Sequence, residues 1–358
     1  MHREATRTLR KTTSALASGA KSLPQKYFVS SEIFAQEQAE IFSKTWLLVG
    51  HQSQVANAGD YFLAKIAGES LIIVKDQRSI IRGLYNVCRH RGTRLKEDAS
   101  GHASAIQCPY HAWTYGLDGR LIGAPHMDGV PGFDKADYPL HPVNLALWEG
   151  FIFLNLRRNP KPLEKWFAPL NGKFSYWNMS ILKLMFENYS ECYHCPGVHP
   201  QLQKVSPYDS AENDLREGPF LGGFMKINPG KSLTMSGSAC AAFVGEIENL
   251  QRVFYYSIFP NMLLSLHPEY VMVHQLWPQS PERTLIVCDW FFHPDAFNRP
   301  DFKPDDAIEF CDMTNKQDWH VCELSQQGIA SGAYEPGPYS SRESIPAAWD
   351  RYYLSVTH

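Results

Sequence analysis

The sequence predicts an α+β protein: a small antiparallel β domain, then a larger domain of antiparallel strands with flanking helices. Three observations predict it. Short β-prone runs are grouped between Tyr61 and Leu156. Longer apolar, strand-like runs are grouped between Arg252 and Phe292. Helical patterns lie outside both groups rather than alternating with them. Strands grouped in this way pair with their neighbours, whereas an alternating βαβ array would build a parallel sheet.

Taken in order, residues 29–46 predict a helix capped by Ser31. Ile33 and Phe34 recur as Ile41 and Phe42, and Trp46 follows. Strands are expected at Tyr61–Ile66, Leu71–Val74, Ile80–Asn86 and Phe151–Leu156, separated by breaks such as Asp118-Gly119. Asn159-Pro160-Lys161-Pro162 marks a domain boundary. Beyond it a helix is expected over Leu182–Tyr193, and strands at Arg252–Ile258, Met262–Leu266, Tyr270–Trp277 and Thr284–Phe292. A final helix runs from Asp305 to Gln327, with Pro304 ahead of it and Gly328 as its stop.

Composition excludes several classes. The chain has 358 residues, with 34 Lys+Arg against 37 Asp+Glu and a net charge of −3. A dedicated nucleic-acid binder would be basic. Hydrophobic residues at 44% and charged residues at 20% rule out wholesale disorder. No apolar run reaches the roughly 18 residues of a membrane span; Val143–Leu156 is interrupted by Asn144, Glu149 and Asn155. The first 21 residues are basic and Ser/Thr-rich with one acid, Glu4, and lack a signal-peptide core. A cytoplasmic location is expected, with organelle import as the alternative. Eight cysteines are too sparse for a disulfide scaffold in a chain this long, and cytoplasmic thiols stay free for metal.

Two constellations carry chemistry. The first is Cys88-Arg89-His90, then 17 residues, then Cys108-Pro109-Tyr110-His111. Zinc fingers place both cysteines in one knuckle and both histidines on a helix. Here each knuckle mixes one Cys with one His, as in a [2Fe–2S] centre with two thiolates on one iron and two imidazoles on the other. The second is Glu191-Cys192-Tyr193-His194-Cys195-Pro196-Gly197-Val198-His199. Five residues on a straight helix are about 500°, which would point His194 and His199 about 140° apart. Pro196 and Gly197 between them bend the backbone. Both imidazoles can then meet one metal, and a carboxylate would complete a 2-His-1-carboxylate site for non-haem Fe(II). Cys192-x-x-Cys195 has no second pair and is taken as structural.

Cys88-Arg89-His90-Arg91-Gly92 and Cys108-Pro109-Tyr110-His111-Ala112-Trp113 resemble the cluster loops of the Rieske non-haem iron oxygenases. The resemblance runs from about Ser31 to Leu354. It implies a Rieske β-domain at 45–160, a helix-grip catalytic domain at 161–358, and an N-terminal helix within 1–44 that belongs with the catalytic domain. Cys88 and Cys108 would hold one iron of a [2Fe–2S] cluster, and His90 and His111 the other. In Lys316-Gln317-Asp318-Trp319 the family's third ligand to the mononuclear iron falls on Asp318, with Asp312 and Glu323 as rivals on the same helix. Glu191 falls where relatives more often carry an Asp, which bridges a cluster His of one subunit to an iron His of its neighbour. That bridge implies a homo-oligomer, a closed trimer being the simplest.

The resemblance further implies O₂ chemistry driven by NAD(P)H through a separate flavin or ferredoxin-type reductase; the chain has no Gly-rich dinucleotide fingerprint of its own. One departure is that Trp177-Asn178-Met179 runs almost directly into the expected helix, so a strand reads as shortened or absent. The patterns around 187–200 and Phe259–Pro268 look most like the branch that oxidises betaines and related quaternary amines. Such a cation favours aromatic walls, at about 0.5–2 kcal/mol per contact, and Tyr255, Tyr256, Tyr270, Trp277 and Trp290 are among the candidates. The alternatives are hydroxylation of an aromatic acid, which would ask for a basic pocket residue, and an electron-transfer Rieske protein without oxygenase activity.

Overall fold

The computed structural model describes residues 9–11, 18–186, 195–214, 218–244, 251–340 and 342–357. The chain divides into two compact units. One is Phe42–Ala168; the other combines Met1–Ile41 with Pro169–His358.

Within Phe42–Ala168 every strand pairing is antiparallel. Ile81–Tyr85, Glu69–Lys75, Asp60–Ile66 and Ser100–His102 form one sheet. Asn144–Trp148, Phe151–Asn155 and Leu47–His51 form a second, and Ile106–Gln107, Thr114–Tyr115 and Leu121–Gly123 a third. The expected strands are present within a residue or two at each end. The shorter ones carry no periodic pattern, because two or three residues are held in a sheet by the partner backbone rather than by an apolar face. Ile72, Val74, Leu84, Tyr115 and Leu117 pack into one core, and Cys88 and Cys108 sit inside it.

The second unit is built on an eight-stranded sheet. From edge to edge its strands are Leu9–Lys11, Glu212–Asp214, Phe220–Lys226, Arg252–Ile258, Met262–Leu266, Val271–Ser280, Arg283–Phe292 and Lys183–Phe186. The last of these corrects the first part of the helix expected over Leu182–Tyr193. Lys183–Phe186 is extended and pairs with Phe292–Asp289 at the sheet edge, so pairing overrides a local composition that suits either state. A four-residue strand therefore precedes the second constellation. Residues 187–194, with Glu191 and His194, lie outside the described residues.

One face of this sheet seats a 26-residue helix, Pro304–Ile329. Across the strands, Gly223, Tyr255, Ser265, Met272 and Trp290 stand in one row; Leu221, Ser257, Leu263, His274 and Cys288 stand in the next. Ala307 and Cys311 of the helix cluster with Met272, Cys288 and Trp290, and its Phe310 with Met225 and Val253. The buried stripe of that helix runs Ala307, Phe310, Cys311, Thr314, Asn315, Asp318. The spacing is that of one helical face, but its second half turns polar, the mark of a side built to hold something other than a core.

Two further details differ from expectation. The N-terminal helix Ser31–Glu37 is capped by Ser30, whose hydroxyl accepts the Ile33 N–H at 3.2 Å. Ser30 is extended where Ser31 is already helical, as a cap requires. The chain then passes into one wider turn at Gln38–Phe42, where Glu37 and Gln38 interrupt the apolar stripe. A last helix, Ser344–Thr357, starts with Pro346 in its first turn and was not expected from the pattern. No helix among the described residues is long and apolar enough to cross a membrane.

Candidate metal centres and the cavity beside them

The two Cys-His loops fold alike. In each, the Cys N–H donates to the carbonyl five residues on, from Cys88 to Thr93 and from Cys108 to Trp113, both at 2.8 Å. In each, the residue four after the Cys donates back to the Cys carbonyl, Gly92 at 3.0 Å and Ala112 at 3.1 Å. That fourth residue has positive φ in both loops, 75° at Gly92 and 55° at Ala112. Glycine suits the first; in the second an alanine accepts the strain.

Two such loops bring the four side chains together. Both cysteines are 2% exposed, and the Cys88 and Cys108 thiols lie within hydrogen-bond reach of each other. The His90 and His111 rings stand 4.7 Å apart, and His90 stacks on Trp113 at 4.8 Å. His111 Nδ1 is buried and makes no hydrogen bond. Burial works to raise the pKa of the Cys108 thiol. The backbone N–H groups of Tyr110 and His111, with Cys88 and Thr93, outweigh it and leave the thiol below its ordinary value. Burial, then the charges of His111 and Arg91, hold His90 below its ordinary value and hence neutral. A low-pKa thiol and a neutral imidazole are the states that bind metal. Tyr115 was not singled out by its sequence. Its hydroxyl lies 3.3 Å from Cys88 Sγ and accepts the Arg89 N–H at 3.0 Å.

The second constellation is carried by two elements that the sequence keeps far apart. His199 follows the short helix Cys195–Val198 and precedes Pro200–Val205. Among the described residues the chain is helical through Pro196-Gly197 and breaks at His199, the residue before Pro200, where helical conformation is disfavoured. His199 and Asp318 are both fully buried, and Nε2 of the one lies 2.7 Å from Oδ1 of the other. His199 Nδ1 lies 2.7 Å from Gln317 Oε1. A proton on Nδ1, donated to that amide oxygen, leaves the Nε2 lone pair facing a carboxylate. Two electron-rich groups then meet in a fully buried site, which is the arrangement a cation between them resolves. The rival acids are elsewhere: Asp312 pairs with Lys316 on the surface, and Glu323 is exposed.

Among the described residues no three His, Cys, Asp or Glu side chains converge on one metal position. A [2Fe–2S] cluster asks for only two protein ligands per iron, and His194 lies outside the described residues.

The same sheet face holds a cavity of about 520 Å³. Tyr255, Ser257, Leu263 and Ser265 form its floor, and Ile345, Pro346 and Trp349 of the last helix its opposite wall. His199 and Asp318 do not line it; Met225 belongs both to its wall and to the cluster with Leu202, Val205 and Phe310 that packs against the helices bearing them. Of the candidate aromatics, Tyr255 reaches the cavity; Tyr256 points to the other face of the sheet, where its ring meets Phe174 and its hydroxyl donates to Asp214, and Tyr270 and Trp290 are core. Trp349 and Arg342 were missed, because the helix carrying the one and following the other was not expected.

Comparisons with known proteins agree with this geometry. Residues 45–134 match the Rieske [2Fe-2S] domain, and residues 182–353 the ring hydroxylating alpha subunit (catalytic domain). The chain is 35% identical to a carnitine monooxygenase oxygenase subunit of Acinetobacter baumannii, over 88% of this chain and 87% of that one. It is 31% identical to a glycine betaine monooxygenase oxygenase subunit of Chromohalobacter salexigens, over 90% and 82%. A solved quaternary ammonium Rieske monooxygenase superposes with a TM-score of 0.79 at 25% identity, covering 94% of this chain and 95% of that one. Naphthalene 1,2-dioxygenase from Rhodococcus sp., at 20% identity and a TM-score of 0.74, shares the fold. Two like-folded Cys-His loops in one unit and a buried His-Asp pair on the sheet of the other thus place this chain among the Rieske ring-hydroxylating oxygenases, as the oxygenase subunit that bears the catalytic domain.

Proposed function

We propose that this oxygenase acts on a quaternary amine, inserting one oxygen atom into a C–H bond beside the nitrogen, most simply of an N-methyl group. The observation that carries the reading is the cavity. Its wall combines the aromatic side chains of Tyr255 and Trp349 with the carboxylates of Glu343 and Asp350, a lining that suits a large, weakly hydrated cation. The carnitine and glycine betaine oxygenases to which the chain is similar support it. A second reading, hydroxylation of an aromatic acid, draws on Arg342 in the same lining, but two carboxylates oppose a purely anionic substrate.

Cys88 and Cys108 hold one iron of the Rieske cluster in this reading, and His90 and His111 the other. His194, His199 and Asp318 hold the mononuclear iron. When bound, the iron supplies activation of O₂ at the substrate. Gln317 fixes the tautomer of His199, and Asp318 balances charge in a fully buried site. The overall reaction takes O₂, two electrons and two protons. One oxygen enters the C–H bond and the other leaves as water; the N-hydroxymethyl product then releases formaldehyde. The family uses a separate reductase and assembles as oligomers, and we assign the electrons to NAD(P)H and the assembly to a homotrimer. Glu191 is proposed to link His111 of one subunit to His194 of the next. In Glu191→Gln both metal centres are expected to be retained and single-turnover oxidation of the cluster to slow by orders of magnitude; oxidation at the wild-type rate excludes the link.

Tyr115 gives a smaller, separate test. Its hydroxyl at Cys88 Sγ stabilises the electron-rich reduced cluster. One hydrogen bond of about 1 kcal/mol corresponds to a fall of about 40–50 mV for one electron in Tyr115→Phe. Protein-film voltammetry would read it, and an unchanged or raised potential would contradict the ligand assignment.

The substrate reading is tested by O₂ uptake with a surrogate reductase, comparing betaines, choline and carnitine with benzoates and salicylates. Uptake matched by formaldehyde with a quaternary amine is expected. Ring-hydroxylated product from an aromatic acid, with no turnover of any amine, would replace this reading with the second one.

A further inference from the structure

We propose that the cavity selects a zwitterion: Arg342 at its rim binds a substrate carboxylate, while Asp350, Tyr255 and Trp349 face the substrate's quaternary nitrogen. The inference rests on the quaternary-amine reading and narrows it to amines that also carry a carboxylate.

Among the described residues, the charged side chains lining the cavity are Arg342, Glu343 and Asp350. All three lie in or just before the helix Ser344–Thr357. The two carboxylates are held by neutral donors. Glu343 Oε2 accepts the Ser340 N–H at 2.6 Å, and Asp350 Oδ2 accepts the Tyr339 hydroxyl at 2.6 Å. Such donors orient a carboxylate without cancelling its charge, and the nearby Arg351 charge offsets only part of it at Asp350, where burial is the larger effect. Burial pushes the Asp350 carboxyl above its ordinary value, which is the cost a bound cation relieves.

Arg342 differs. It is exposed at the rim, with its guanidinium 4.9 Å from the centroid of Tyr208, another lining residue. Among the described residues its side chain has no hydrogen bond and no ion pair. Its fork of N–H donors is therefore open, and that fork matches a carboxylate in two-point contact. From Ser344 to Asp350 the helix rises about 9 Å, and Arg342 lies before its start, so Arg342 and Asp350 stand at separate ends of one wall, with Glu343 next to Arg342.

This pattern sorts substrates by charge. A pure cation such as choline satisfies the carboxylates but leaves Arg342 unused. A pure anion such as benzoate satisfies Arg342 but meets two like charges. A betaine satisfies both ends.

The test uses the holoenzyme with its surrogate reductase, and reads kcat/KM for glycine betaine, carnitine, choline and benzoate, with calorimetric binding of each to the resting enzyme. In Arg342→Gln the ratio of betaine to choline kcat/KM is expected to fall by about tenfold or more, the scale of a lost charged hydrogen bond, and Arg342→Lys recovers part of it. In Asp350→Asn, which keeps an acceptor for Tyr339, betaine and choline are expected to weaken together. If Arg342→Gln leaves the ratio unchanged while quaternary amines are still turned over, the zwitterion proposal fails alone. If no quaternary amine binds and benzoate does, with binding lost in Arg342→Gln, it fails together with the substrate reading.

Discussion

Asp318→Ala is expected to lose the mononuclear iron and turnover while keeping the visible spectrum of the Rieske cluster. Asp318 is fully buried, and its Oδ1 lies 2.7 Å from His199 Nε2. Removing the carboxylate leaves the His199 lone pair facing an empty, uncharged space, and a divalent cation there would lose both a ligand and the charge that balances it. Outer partners of metal ligands are already worth about 10–100-fold in affinity or activity, so loss of a ligand should cost at least about 100-fold in kcat. Asp318→Asn separates charge from shape, and should fall nearly as far. The cluster loops belong to the other compact unit, so their absorbance should not move. Iron analysis, cluster absorbance and turnover on one preparation check all three; unchanged activity in either variant would remove Asp318 from the site.

Cys108→Ala is expected to do the converse. The Cys108 sulfur receives the backbone N–H groups of Tyr110 and His111 and sits against Cys88 in a core position 2% exposed. Without it one iron keeps a single protein ligand, and neither labile sulfide nor cluster absorbance should remain. The side chain is small, so the cavity left behind is a minor cost. The larger loss of stability comes from the missing metal, because binding energy in such a site is folding energy. The Phe42–Ala168 unit should therefore melt at lower temperature, while mononuclear iron stays bound and reductase-driven turnover disappears. A cluster of normal absorbance in this variant would contradict the ligand set.

The two centres differ in how far their sequences reveal them, for a physical reason. Each Cys-His pair lies within one tight loop, so its spacing is its geometry: Cys88 to His90 and Cys108 to His111 could be read directly. His199 and Asp318 are 119 residues apart, and only the sheet brings them together. Spacing cannot show that, so Asp318 came from the family's motif. What the helix itself did carry was a buried stripe turning polar at Thr314, Asn315 and Asp318. The strands Arg252–Ile258 and Met262–Leu266 were legible end to end because they are long and apolar. Lys183–Phe186 was mistaken for helix because four residues without β-branching owe their state to the neighbouring strand. The charged wall of the cavity went unseen with the helix that bears it, and so did Tyr115, whose role depends on where its hydroxyl lands.

The most direct measurement is the iron and acid-labile sulfide content of the purified wild type beside these two variants. One [2Fe–2S] cluster and one mononuclear site predict about three irons and about two sulfides per wild-type chain. Asp318→Ala should then hold about two irons and about two sulfides, and Cys108→Ala about one iron and no sulfide. Zinc in place of iron, with no labile sulfide in the wild type, would contradict the account.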